Sequence, residues 1–273
     1  MVFEQFLSSD SVKKHMLFIF LLGMFYVFVG YFVSAYFFQG VVSVAMLFTI
    51  TLLLVPSAAA ILNFEEQIES KEGIKHFFHN HKDIFKIYIT LFKGIFFAFL
   101  ILGAYAGPAV FDYQTDFLEA RGDLTSNILT EFAENEYHPT FDNVFALISQ
   151  NLLVVVIAFI LSIFYGAGAL FLIVLNASVF ASFICFVVRE IGNSLAMILL
   201  FLIHLIPELS GFLAAAIAGG VVSRAIVRED FLSKGFKNVM KDALVLLLIA
   251  AGLIIIAAFL EVFVSANLVK MVV

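Results

Sequence analysis

Three polar side chains in the second half of the sequence have types and spacing that could carry chemistry. His204 and Glu208 are four residues apart, so in a helix they lie on one face. They fall in an apolar run, residues 193–223, where placing an ionisable group at membrane depth costs about 2.5–3.5 kcal/mol. Asn176, in the preceding apolar segment, is the candidate to face them. Pro207 lies between the pair and lacks a backbone donor, which predicts a kink or a break.

Three interpretations of Asn176, His204 and Glu208 stay open at this point. They form an interior polar network that fixes helix register, or a coordination or proton site of a transporter or channel, or a catalytic pair. The spacing lacks the second histidine of a zinc-binding helix, and the chain has no nucleophile elbow. We therefore expect no enzyme activity, no cofactor and no bound metal.

Small residues continue the face that carries the polar pair. Gly211, Ala215 and Gly219 follow Glu208 at spacings of three and four, a pattern that lets a second helix approach closely. Gly166 and Gly168 interrupt the preceding apolar segments and permit a turn there. The pattern predicts a tightly packed intramembrane site.

Composition places the whole chain in a membrane. Of its 273 residues 63% are hydrophobic and 13% charged, with a mean hydropathy of +1.09, whereas soluble domains carry about 25% charged residues. No basic patch or motif indicates nucleic-acid binding. The single cysteine, Cys185, excludes an intrachain disulfide.

Apolar runs of spanning length predict an all-α polytopic transmembrane helical bundle of about seven spans. We expect one integral membrane domain with three N-terminal helices in residues 16–107, an acidic segment in 108–143 and a further helical region in 144–264. The run 193–223 is too long for one straight crossing, which predicts a kinked or re-entrant segment around Pro207.

The charged connector after the second span alternates acids with large apolar residues. We interpret residues 64–78 as an amphipathic helix lying along the membrane surface, and we expect the third helix over 84–106. His76, His79 and His81 are close in sequence. No cysteine or supporting carboxylate pattern accompanies them, so we expect ordinary interfacial histidines, not a metal site.

Basic residues predict the orientation. Eleven of the fifteen lysines and arginines fall on one side of a seven-span arrangement, whereas the segment 108–143 holds eight acids against Arg121 alone. The positive-inside rule places the N-terminus in the cytoplasm, and the acidic segment and the C-terminus outside a cell membrane.

Two stretches resemble the stage II sporulation protein M family, most closely its archaeal members. YGAGALF at residues 165–171, with LNASV at 175–179, resembles the first motif block of the family, and residues 204–220 resemble the second. The resemblance covers about residues 143–264. Bacterial members more usually read Pro-His-Gly before the glutamate, whereas here His204 precedes Ile206, Pro207 and Glu208.

The resemblance implies a non-enzymatic membrane component. In spore formers the family member belongs to a complex with peptidoglycan-degrading partners that drives engulfment, and it has no hydrolase chemistry itself. For this chain we expect a scaffold of cell-envelope remodelling whose partners are the lipid bilayer and other membrane or envelope proteins, a second copy of the chain included. The alternative is a small-solute or ion transporter that uses the Asn/His/Glu site.

Overall fold

The structure is a computed structural model that describes residues 16–74, 77–121, 139–165, 168–191, 194–231 and 233–265. Every regular element in these ranges is helical, as the apolar runs predict. The α-helices, in chain order, are α1 Met16–Phe37, α2 Val42–Glu72, α3 Phe77–Tyr105, α4 Asp112–Arg121, α5 Phe141–Tyr165, α6 Gly168–Ile191, α7 Ser194–Arg228 and α8 Lys234–Phe259. A 3-10 turn, Pro108–Val110, precedes α4, and a π-helical turn, Leu260–Ser265, follows α8.

Five helices in the described residues are long and apolar enough to cross a membrane, which makes this an integral membrane protein. They are Met16–Phe37, Phe77–Tyr105, Phe141–Phe164, Leu202–Arg228 and Lys234–Ser265. The bent helix α2 would be a sixth. The expected seven also counted α6, whose apolar part, Leu170–Phe186, falls short of the roughly 20 residues that a crossing needs.

A bend of 45° lies in α2. The halves Val42–Pro56 and Ile61–Glu72 of α2 meet at 45°, next to Pro56, which cannot donate to the carbonyl one turn earlier. Pro207 instead lies inside one continuous helix, α7. The expected re-entrant break in residues 193–223 is therefore replaced by a single long helix.

The central helix of the bundle is α7. Every residue from 211 to 222 is buried, so this helix is covered around its whole circumference. It packs against α8, α5, α6 and α2, while α1 packs at the periphery against α3 and α2. Large side chains of α1, such as Leu17, Phe25 and Phe32, are exposed, as expected for a surface that faces lipid.

The charged connector is not a separate helix, so its predicted bounds, residues 64–78, were wrong. Helix α2 continues through it to Glu72, and α3 begins at Phe77, seven residues before the predicted start. Glu65, Glu66 and Glu69 are consequently buried on the last turns of α2. His81 of α3 contacts Glu65 and Arg228 of α7 contacts Glu66, which the linear pattern does not reveal, whereas Glu72 is exposed.

Candidate functional site

The polar pair predicted from the sequence lies in the interior, near the beginning of α7. His204 is 7% exposed and Glu208 9%, and Pro207 between them is half-buried. The Nδ1 atom of His204 lies 3.0 Å from the Oγ atom of Ser265. The ring and hydroxyl therefore share a hydrogen bond between α7 and the turn that follows α8.

A second acid, Glu261, completes this arrangement. One ligand atom each from His204, Glu208 and Glu261 lie within 4.8 Å of one another. Glu261 and Ser265 belong to the π-helical turn Leu260–Ser265, and such turns are frequent at functional sites because they re-aim side chains. We call these four residues the His204 cluster. The sequence analysis does not predict its two members from this turn, although Glu261 is the one acid in the last apolar run.

Asn176 lies half-buried on α6, and the polar contacts described for His204 and Glu208 come from the segment after α8. Its membership of the site stays a prediction. Gly168 is the first residue of α6, which agrees with a turn before that helix. Gly166 lies outside the described residues.

Small residues of α7 let two neighbouring helices, α5 and α8, approach closely. A Cβ atom at Gly211 would lie 3.1 Å from the carbonyl oxygen of Ala250 on α8. A Cβ atom at Gly219 would overlap the carbonyl oxygen of Phe159 on α5. Ala215, between them, is fully buried. The stripe is thus a packing device for both neighbours and is continuous with the His204 cluster.

A second buried cluster lies where α2, α3 and α8 meet. The Nδ1 atom of His81 is 2.6 Å from Glu65 Oε1 and 3.7 Å from Glu69 Oε1, and its Nε2 atom is 2.7 Å from Asp242 Oδ2. All four residues are at most 3% exposed. We call them the His81 cluster. Because ionised carboxylates only accept hydrogen bonds, His81 satisfies both short contacts only with a proton on each nitrogen.

The His81 cluster lies close to the end of α2, and further polar contacts surround it. Glu66, next to Glu65, accepts a hydrogen bond at 3.3 Å from Arg228, which closes α7. Asn238 of α8 donates to the carbonyl of Ser70 at 3.1 Å. The chain then leaves α2 at Gly73, whose φ of 59° favours glycine. The cluster is therefore one turn of helix from the end of α2.

The prediction that His81 is an ordinary interfacial histidine was wrong. His79, two residues earlier, is exposed, whereas His76 lies outside the described residues. One signal was available: Glu65 and Glu69 share a helix face at a spacing of four. The charges of the connector predict a water-facing helix, and that prediction does not connect the spacing to His81.

Comparison with known proteins places most of the bundle in a family. Residues 87–266 match the family model described as Stage II sporulation protein M. The match begins within α3 and includes the His204 cluster and Asp242, while Glu65, Glu69 and His81 precede it. No curated protein and no solved structure matches the chain.

Proposed function

Since this chain belongs to the stage II sporulation protein M family, with a match over residues 87–266, we propose that it is a non-enzymatic membrane scaffold of cell-envelope remodelling. It works by holding partner proteins at the membrane, and its own helices provide the docking frame. The lipid bilayer and other envelope proteins are its partners. Its place is a cell membrane, with the N-terminus in the cytoplasm.

The observation that carries this proposal is the closed packing of α7. Residues 211–222 are buried on all sides, and glycines bring the backbones of α5 and α8 into direct contact with this helix. A transporter needs a hydrated route beside its site, and alternating access separates one group of helices from another. A central helix locked by backbone contacts favours a rigid frame.

The buried acids and histidines favour a second candidate, an ion or small-solute transporter. Ionisable residues at membrane depth commonly mark ion pathways or proton relays. The His204 cluster offers two carboxylates and an imidazole within 4.8 Å, which could bind a cation or a proton. The transporter predicts that Glu208→Gln abolishes ion flux, whereas the scaffold predicts that this variant still binds its partner.

Affinity purification after cleavable crosslinking in the native membrane tests the scaffold. We expect an envelope protein to co-purify in a fixed ratio with the wild-type chain and with Glu208→Gln, because an isosteric change preserves the packing. Glu119→Gln, at an exposed residue of α4, is the matched control.

Flux measurements in proteoliposomes test the transporter. The scaffold predicts no cation or proton flux above that of empty vesicles. A flux that Glu208→Gln abolishes and Glu119→Gln retains, with a chain that purifies alone, would overturn the scaffold in favour of the transporter.

A further inference from the structure

The His81 cluster has the donor set and the geometry of a metal site. Nδ1 of His81 lies 2.6 Å from Glu65 Oε1 and 3.7 Å from Glu69 Oε1. In a tetrahedral zinc site with bonds of about 2.0–2.1 Å, neighbouring ligand atoms are about 3.4 Å apart. The two observed distances lie on either side of that value, and all three ligand atoms lie within 4.8 Å of one another, so shifts of about 1 Å would place them around one ion.

Two oxygens of Glu69 provide an independent reason to place a cation there. The residue is 1% exposed, and in the described part of the chain neither oxygen has a hydrogen-bond donor within reach. The same holds for Oδ1 of Asp242, also 1% exposed. Burying a carboxylate without a partner costs several kcal/mol, so buried carboxylates are normally paired or bound to a metal.

The net charge of the His81 cluster also favours a bound cation. Three carboxylates, those of Glu65, Glu69 and Asp242, surround one imidazole. With all three carboxylates ionised, a doubly protonated ring gives a formal charge of −2, and a divalent ion on a neutral ring gives −1. A dication therefore leaves less uncompensated charge in the interior than the imidazolium does.

Asp242 has the position of a residue that orients a metal-binding histidine. Its Oδ2 atom is 2.7 Å from Nε2 of His81 and accepts that proton. A histidine that binds metal through one nitrogen usually donates the other N–H to a carboxylate, which fixes the ring and raises its basicity. Nδ1, the nitrogen beside Glu65 and Glu69, is then the one free to bind.

We propose that Glu65, Glu69 and His81 bind one divalent transition-metal ion of the zinc type, with Asp242 as the positioning residue of His81. Imidazole with carboxylates suits such ions better than Mg²⁺ or Ca²⁺, which take all-oxygen sites. The ion joins α2 to α3, and Asp242 links both to α8. It therefore fastens α2, which precedes the family match, to α3 and α8, which overlap it. This proposal does not depend on the scaffold function.

Binding of Zn²⁺ to the full-length chain in detergent, after removal of metal with a chelator, tests the site. We expect one ion per chain at this site, measured by equilibrium dialysis and elemental analysis, and a visible absorption band with Co²⁺ as the probe. Glu69→Gln should weaken the affinity by more than about 10-fold, and Asp242→Asn by about 10–100-fold. Glu72→Gln, one turn further along α2 and exposed, should bind as the wild type does.

Glu208→Gln separates this site from the His204 cluster, which also groups a histidine with two acids. The proposal requires that Glu208→Gln keep the ion that Glu69→Gln loses. If Zn²⁺ does not bind, or if Glu69→Gln binds as tightly as the wild type, the proposal is overturned and the acids of the cluster share protons instead. If Glu69→Gln does not fold, the Co²⁺ spectrum of the wild type decides, since imidazole nitrogen coordination is required and an all-oxygen spectrum overturns the site.

Discussion

At the scale of single residues, His81 is a buried histidine with an acid against each of its ring nitrogens. Two short contacts, 2.6 Å to Glu65 and 2.7 Å to Asp242, hold its ring between α2 and α8. Phe77 packs against the ring edge-on, with centroids 4.5 Å apart. The side chain thus joins three helices by itself, because each ring nitrogen reaches a different neighbour.

Replacing His81 should therefore destabilise the protein strongly. His81→Ala leaves Glu65 and Asp242 buried without their donor, and breaking a buried pair in this way costs about 3–5 kcal/mol. The free energy of unfolding, followed by a denaturing-detergent titration without added metal, measures the loss. His79→Ala, at an exposed residue two positions earlier, is the control and should change it by less than about 0.5 kcal/mol.

If His81→Ala leaves the free energy of unfolding nearly unchanged, the observed contacts are contradicted. The triple change of His81→Ala with Glu65→Gln and Asp242→Asn sharpens the test, since it removes the charges together with their partner. It should recover part of the stability that His81→Ala loses.

At the scale of helices, backbone contact at glycine determines how the bundle packs. In lipid the hydrophobic effect does not hold helices together, so close packing does. Besides the α7 contacts, a Cβ atom at Gly23 of α1 would lie 2.8 Å from the carbonyl oxygen of Leu91 on α3. Both the centre and the periphery of the bundle use the same device.

Gly219→Ala should destabilise the junction of α7 and α5. The added methyl group would overlap the carbonyl oxygen of Phe159 and the side chain of Ser162, and such overpacking costs about 1–3 kcal/mol. Thermal unfolding and monodispersity in detergent measure the effect, and Gly219→Leu should be still worse folded.

Gly252→Ala is the matched control for that change. Gly252 is also inside a helix, α8, but no atom lies within 4 Å of a Cβ atom placed there. We expect it to be neutral or slightly stabilising, by up to about 1 kcal/mol, because alanine favours the helix. Equal behaviour of the two variants would mean that α7 and α5 are not in backbone contact.

At the scale of the whole molecule, the two polar clusters lie at opposite ends of α8. Asp242 is near its beginning and Ser265 ends the turn that follows it, about 35 Å apart along the axis at 1.5 Å per residue. A helix of this length matches a hydrocarbon core of about 30 Å. Each cluster therefore lies toward one face of the bilayer.

Cysteine labelling decides which face is which. In a Cys185→Ala background, a cysteine at Glu119 should react with an impermeant reagent added to intact cells, and one at Glu72 should react only after lysis. Both residues are exposed, so accessibility depends on the side of the membrane and not on burial. The expectation follows from the positive-inside rule, and labelling of Glu72 in intact cells would reverse the orientation.

The amino-acid sequence alone was sufficient for the helical membrane class, the family and the burial of His204 and Glu208. The membrane class and the burial follow from long apolar runs and from the 3.6-residue period, which places residues four apart on one face. The family follows from the resemblance of residues 165–179 and 204–220 to its motif blocks. The sequence determines the ends of the helices less well than their existence. The acids after Leu62 indicated a surface segment, yet α2 continues through them.

Only the tertiary structure revealed the His81 cluster. Helical periodicity shows which face a residue occupies, but it does not show which other helix covers that face. The partners of His81 are 16 and 161 residues away in the sequence, on helices that the bend in α2 brings together. Charged residues are rarely buried unless a partner is supplied, so the sequence predicts a water-facing position for Glu65 and Glu69. Here the partner of Glu65 comes from a different helix.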